Sequence, residues 1–175
     1  MQPPAVVLTE YAPEDRSALE LWWKNAAVAG YLGDLGRLLR ESEVGSRMTD
    51  GYIARPTLRW MARPSPTGEP FGFIAVQVTG DRDASYAVVP PLSGGVNIAI
   101  DPLRCGGGLG PATMKALLAQ PELADLATLG GAVDVTNLPC LKMLLKLGIS
   151  RGALRGSGRK VFFDFVIPRT SERDE

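Results

Sequence analysis

A chain of 175 residues, 45% apolar and 22% charged, has room for one domain of ordinary size and not for two comfortable ones. Its 19 basic and 19 acidic residues cancel, so it lacks the basic excess of a general nucleic-acid binder. It contains no histidine, which removes Ser-His-Asp triads, Cys-His pairs and His-ligated metals from the possible chemistries.

With 20 glycines and 14 prolines but no collagen-like period, the composition points to a turn-rich α/β or α+β domain. Val6-Val7-Leu8 reads as a first strand. Pro13, Glu14 and Asp15 read as a helix start, with Pro early and acids in the first turn. Ala18, Leu19, Leu21, Trp22 and Ala26 then recur at helical spacing to about Gly30. Trp22 is read as core, and its neighbour Trp23 as lining an acceptor cleft or a homodimer contact. A second helix is expected over 34–43. Residues 57–63 and 71–78 read as strands joined by the turn cluster 64–70, which makes a hairpin. The stretch 79–95, rich in Gly and Pro, is expected to be a loop holding at most a short strand. Val96, Ile98 and Ile100 alternate with Asn97, Ala99 and Asp101 as a half-buried strand that Pro102 stops. A helix follows with Met114, Leu117 and Leu118 on one face. A strand is expected over 127–135, adjacent and parallel to 96–101. Asn137 then opens a helix that Gly148 closes. Residues 152–159 read as turns, 161–167 as a last strand, and 170–175 as a frayed, charged tail.

The N-terminus lacks a basic region followed by a long apolar run, and no window is long enough for a membrane helix. Cys105 and Cys140 are too few for a Cys₄ zinc site and too far apart for a C-x-x-C motif, so they read as reduced thiols. The expectation is a soluble, cytoplasmic protein of one domain with no nucleic-acid or membrane partner.

The most informative segment is strand, Pro102, then Arg104-Cys105-Gly106-Gly107-Gly108-Leu109-Gly110, then helix. Clustered glycines let backbone N–H groups turn toward one point, and the helix that follows presents its positive end there. That combination suits a phosphate or pyrophosphate. A Walker loop needs a Lys that is missing here, and Gly106, Gly108 and Gly110 have the wrong spacing for a Rossmann fingerprint.

Pro102, Gly108, Leu109 and Gly110 match the pattern Pro-x-x-Arg/Gln-x-x-Gly-x-Gly/Ala, and Asn137, Cys140, Leu144, Gly148 and Ile149 fall on the pattern Asn-x-x-Ala/Ser-x-x-x-Tyr-x-x-x-Gly-Phe. In these two blocks the chain resembles the GNAT superfamily of acyl-CoA-dependent N-acyltransferases. The resemblance implies a mixed α/β fold, mostly antiparallel, with a central parallel strand pair flanked by helices. It implies acetyl-CoA as cofactor and an amine of a small molecule or a protein as acceptor. Cofactor contacts are carried over to Ile98, Ala99 and Ile100 on the strand, to Cys105, Gly106, Gly107, Gly108, Leu109 and Gly110 in the loop, and to Asn137 and Cys140. A backbone N–H of Ala99 or Ile100 would polarise the thioester carbonyl.

This chain departs from the family in carrying Cys105 where a basic or amide residue is usual, with Arg104 one position early, and Leu144 in the place of the Tyr that resembles a general acid. These departures leave open a CoA-binding domain without catalysis. With no histidine, the base must be a carboxylate or water. Asp101 is the leading candidate, with Asp134, Glu69 and Asp83 behind it. A proton for the leaving thiolate would come from water or from Tyr31, Tyr52 or Tyr86. Cys140, in the first turn of a helix, is read as a small packing residue beside the pantetheine arm rather than as a nucleophile.

Overall fold

The computed structural model describes residues 4–40, 42–49, 51–149, 152–157 and 160–168. Nine strands form one sheet whose main path runs β1 (Val7–Glu10), β4 (Leu58–Arg63), β5 (Gly72–Arg82), β6 (Val88–Ile100), β7 (Leu126–Asp134), β9 (Lys160–Pro168) and β8 (Leu154–Ser157). The short strands β2 (Arg47–Met48) and β3 (Gly51–Ile53) join the sheet where β3 pairs with β5. Every pairing is antiparallel except β6 with β7, which is parallel as expected.

Strand alternation gives the sheet two faces. Ile74, Val76 and Val78 of β5 pack with Met114 and Leu117 of helix α4 (Leu109–Leu118) and with Leu141 and Leu144 of helix α5 (Leu138–Lys146) in one buried cluster. Phe73, Ala75 and Ala99, on the opposite face, pack with Leu19 and Trp22 of helix α1 (Arg16–Trp23) and with Leu35 of the short helix α3 (Leu35–Leu39). Trp22 is core, as the sequence suggests. Trp23 is half-buried against the same cluster and donates its indole N–H to the Gly33 carbonyl at 2.8 Å.

Several elements differ from the sequence reading. The first helix does not run on to Gly30: it ends at Trp23, and Asn25 caps a separate helix α2 (Ala26–Leu32) by accepting from the amides of Ala27 and Val28. Helix α3 is half the expected length because Arg40 turns to extended backbone. The stretch 79–95 is not a loop. Strands β5 and β6 continue through it to a tight turn, in which Asp83 Oδ1 accepts from the amides of Ser85 and Ala87. The two prolines that argued against a strand sit where the β5–β6 register shifts, and the bond between them is cis. Strand β8 stands within the segment read as turns. The tail over 170–175 lies outside the described residues. No described helix is long and apolar enough to cross a membrane.

Helix α5 ends as its sequence predicts. Gly148 has φ +72°, its amide donates to Leu145, and the Ile149 amide reaches back to Leu144 at 3.0 Å. Next to β1, the Arg63 guanidinium ties three segments together. It pairs with Asp15, donates to Thr9 Oγ1 at 3.0 Å and donates to the Gly68 carbonyl at 2.8 Å. Both side chains of the pair are largely buried, at 16% and 10% exposure. Removing one partner would strand the other charge, at a cost of about 3 kcal/mol. Asp15→Ala is therefore expected to lower the unfolding free energy by about that amount in a urea titration; an unchanged midpoint would show the pair to be dispensable.

Candidate active site

The glycine loop adopts the conformation its residues permit. Gly106, Gly107 and Gly108 all have positive φ (+102°, +52° and +82°), a region closed to most side chains. Gly108 is the N-cap of α4 and offers no side-chain cap. The Leu109 amide turns inward to the Gly106 carbonyl at 3.2 Å. The amides of Gly106, Gly107, Gly108 and Gly110 make no hydrogen bond among the described residues. A Cβ added to Gly106 or Gly107 would meet nothing within 4 Å. The loop is thus an open cradle of unpaired donors at a helix N-terminus. Gly110 has a second reason to lack a side chain: a Cβ there would stand 3.0 Å from Met143 Sδ, so α4 and α5 approach closely at this point. The Arg104 guanidinium, at the start of the loop, lies 5.8 Å from the centre of the Phe71 ring.

Strand β6 leads into this loop along an edge that opens. Its parallel pairing with β7 runs from Leu92 to Gly95, opposite Leu126 to Gly130, and stops there. Glycines allow the close approach before the split, since a Cβ at Gly94 would lie 2.8 Å from side-chain atoms of both Leu126 and Leu129. Beyond it, β7 continues to pair with β9 as far as Asp134, while 96–100 have no β7 partner. The Phe165 ring sits 3.0 Å from where a Gly131 Cβ would be, at the point of divergence.

The direction of the β6 amides follows from its end. The Asp101 amide donates to the Phe71 carbonyl at 2.8 Å, on the β5 side. Successive residues of a strand point their amides to opposite edges, so Ala99 and Asn97 also face β5, while Ile98 and Ile100 face the opening. Of the alternatives Ala99 and Ile100 raised for polarising a carbonyl, only Ile100 has its N–H on the open side. The Ala99 side chain is buried against the α1 face.

The remaining candidates divide by position. Asp101 caps the single turn 102–104 by accepting from the Leu103 amide at 3.0 Å, which leaves its second carboxylate oxygen without a hydrogen bond among the described residues. Asp134, at the end of β7, accepts from the Thr136 amide and hydroxyl at 2.9 and 2.6 Å. Glu69 is exposed in the β4–β5 turn. Asp83 lies before the start of β6, the length of a 13-residue strand from Asp101, and cannot share a site with it. Three hydrogen bonds, first those from Ser85, hold its carboxyl below the usual range. Of the tyrosines, Tyr86 is in that same distant turn and Tyr52 is stacked under Arg82 at 4.1 Å. Tyr31 crosses from α2 to donate to the Thr136 carbonyl at 3.2 Å, next to Asn137. Leu144 is buried in the core. Asn137 caps α5 by accepting from the Cys140 amide at 3.2 Å. Burial pushes the Cys140 thiol up to about 11, which keeps it protonated at neutral pH. Cys105 is exposed, and its thiol is raised by burial and by the neighbouring Asp101 charge.

The sequence reading missed a cavity of about 380 Å³ on the α3 side of the sheet, beside β6. Arg37, Arg40, Thr57, Gln77 and Asn97 supply its polar lining. No motif marks it, since its walls come from six separate places in the chain: Leu32, the stretch from Arg37 to Arg40, Met48, Thr57, the pair Ala75 and Gln77, and Asn97.

No protein-family model and no curated protein sequence matches the chain. Solved structures do. The chain is similar to the aminoglycoside acetyltransferase AAC(6')-Ib solved with coenzyme A and kanamycin, at 18% identity and TM-score 0.65, over 94% of this chain and 95% of that one. It is similar to an aminoglycoside N(6')-acetyltransferase from Legionella pneumophila, at 14% identity and TM-score 0.64, over 96% and 94%. It is also similar to spermidine N-acetyltransferase from Vibrio cholerae solved with CoA and spermine, at 13% identity and TM-score 0.63, over 93% and 95%. The chain has the GNAT acyltransferase fold.

The loop geometry sets up a direct test. Gly107→Asn keeps a left-handed conformation that Asn tolerates but places a side chain into the open cradle. Calorimetry with CoA should show affinity reduced at least about tenfold, a loss of about 1.4 kcal/mol. Equal affinity for variant and parent would remove the loop from the binding site.

Proposed function

We propose that this protein is an acetyl-CoA-dependent N-acetyltransferase acting on an amine. The observation that carries the reading is the splayed strand pair ending in the glycine cradle: unpaired strand amides at Ile98 and Ile100 lead along one edge to unpaired loop amides at Gly106, Gly107, Gly108 and Gly110. The two donor sets suit the two halves of one ligand. The loop amides and the α4 N-terminus fit a pyrophosphate. The open strand edge fits an extended amide-bearing arm that adds to the sheet like a further strand. The known structures of this fold with CoA or acetyl-CoA bound support that assignment.

Acetyl-CoA, when bound, supplies an activated acyl carbonyl for an amine to attack. The chain's residues position and polarise. Ile100, the last open amide before Asp101, is placed to donate to a carbonyl oxygen and stabilise negative charge there. Asp101, next in the chain, keeps one free oxygen that can take the proton of an ammonium group. Holding both reactants in one site provides much of the rate, with no covalent enzyme intermediate needed. Two features support direct transfer over a cysteine route. Cys140 is protonated and core-packed, and the chain has no histidine to activate it. Leu144 being core, the candidate proton donor to a leaving thiolate is Tyr31, whose hydroxyl is held on the Thr136 carbonyl just past the end of β7 and would have to exchange that bond for the thiolate.

The test is release of free thiol from acetyl-CoA in the presence of a panel of amines. Amine-dependent release is expected; CoA binding with no release for any amine would contradict the enzyme reading. Cys140→Ala should keep more than about half of the parent turnover, because the neutral thiol acts only through packing. Intact mass after incubation with acetyl-CoA alone should show no added acetyl group. A stable adduct on Cys140 together with an inactive alanine variant would replace direct transfer with a covalent route.

A further inference from the structure

The cavity beside β6 has a charge character that narrows the acceptor. Its described lining contains two guanidiniums, Arg37 and Arg40, and no carboxylate. Both arginines are exposed, and neither forms an ion pair among the described residues. The nearby carboxylate Asp34 is used to cap α3, where it accepts from the Arg37 amide at 2.8 Å. The backbone that carries the pair is fixed. Arg59 donates to the Leu38 carbonyl at 3.0 Å and to the Arg40 carbonyl at 2.7 Å, which clamps the end of α3 to the sheet. Across the cavity Gln77 donates to Ser42 Oγ at 3.0 Å, while the Asn97 side chain, on a residue whose backbone pairs with β5, makes no hydrogen bond among the described residues.

Asn97 also ties the cavity to the reaction centre. It lies on β6 three residues before Ile100, about 10 Å along the strand. We propose that the acceptor is a small amine that carries an anionic group, a carboxylate or a phosphate, and that Arg37 and Arg40 bind that group while the amine reaches toward Ile100. This rests on the acetyltransferase reading above. Two guanidiniums match the planar geometry and charge of such oxyanions, and they repel polycations such as aminoglycosides and polyamines. A volume of about 380 Å³ is at the small end of ligand cavities, which suits an acceptor of amino-acid or short-peptide size.

The experiment compares matched amines by calorimetry in the presence of CoA and by acetyl transfer: amino acids against their methyl esters, aminoalkyl phosphates against aminoalcohols, and spermidine. Anionic members are expected to bind, and to react by kcat/KM, at least about tenfold better than their neutral partners, and the stronger of the two series identifies the group. In the Arg37→Glu/Arg40→Glu variant that preference should vanish or reverse, mostly through KM, with CoA affinity kept; Arg37→Lys/Arg40→Lys should retain part of it. Acetyl transfer with no preference for anionic amines, or a preference that survives charge reversal, would overturn the anion site and leave the acetyltransferase reading intact. Charge-selective binding without transfer to any amine would support the anion site and overturn that reading.

Discussion

Hydrogen bonding between β6 and β7 stops at Gly95 and Gly130, and the candidate site follows from that interruption. A parallel pair in the middle of a sheet normally satisfies its backbone groups on both sides. Here β7 stays with β9 while β6 stays with β5, so the N–H and C=O groups of Ile98 and Ile100 face a gap. Glycines and an aromatic ring shape the split. Gly94 allows close packing before it, and Phe165 occupies the space at Gly131 where a side chain would otherwise project. A strand edge with unpaired amides is a ready template for a partner that supplies acceptors. The split therefore leaves the edge on which the proposed ligand would complete the sheet.

The elements around the gap serve it in different ways. The α4–α5 layer sets the floor, and the contact between Gly110 and Met143 brings the start of α4 and its loop close to α5. Asn137 caps α5 near the end of β7, and Tyr31 ties α2 to the same corner through Thr136. On the other face, α3 is too short to be stable alone and is held by its Asp34 cap, Leu35 burial and the Arg59 clamp. That face carries the two guanidiniums. The groups proposed to bind ligand thus lie on both sides of β6, on elements that are themselves fixed by packing.

How much of this was readable in the sequence depended on whether the signal was local. The glycine loop, the 96–100 alternation, the Asn137 cap and the Gly148 stop are all encoded within a few residues, and each stands where the sequence placed it. The break at Asn25 was missed because helix-forming alanines on its C-terminal side outweighed one capping residue. Residues 79–95 misled for a tertiary reason: the Pro and Gly residues that punctuate most chains here occupy a register shift and a tight β6–β7 contact. The direction of each β6 amide depends on pairing with β5, which no single-strand pattern reveals. Nothing local in the sequence singles out Arg37 and Arg40, and only the return of β5 and β6 beneath them makes a cavity.

The most direct measurement of the central claim is residue-resolved hydrogen exchange, read by NMR, with and without CoA. The amides of Ile98, Ile100, Gly107 and Gly108 should exchange readily in the free protein and slow at least about tenfold on CoA addition. Asn97 and Ala99, already paired toward β5, should be protected in both states. Slowing confined to other segments, with Ile98, Ile100 and the loop amides unchanged, would contradict the account and place the ligand elsewhere.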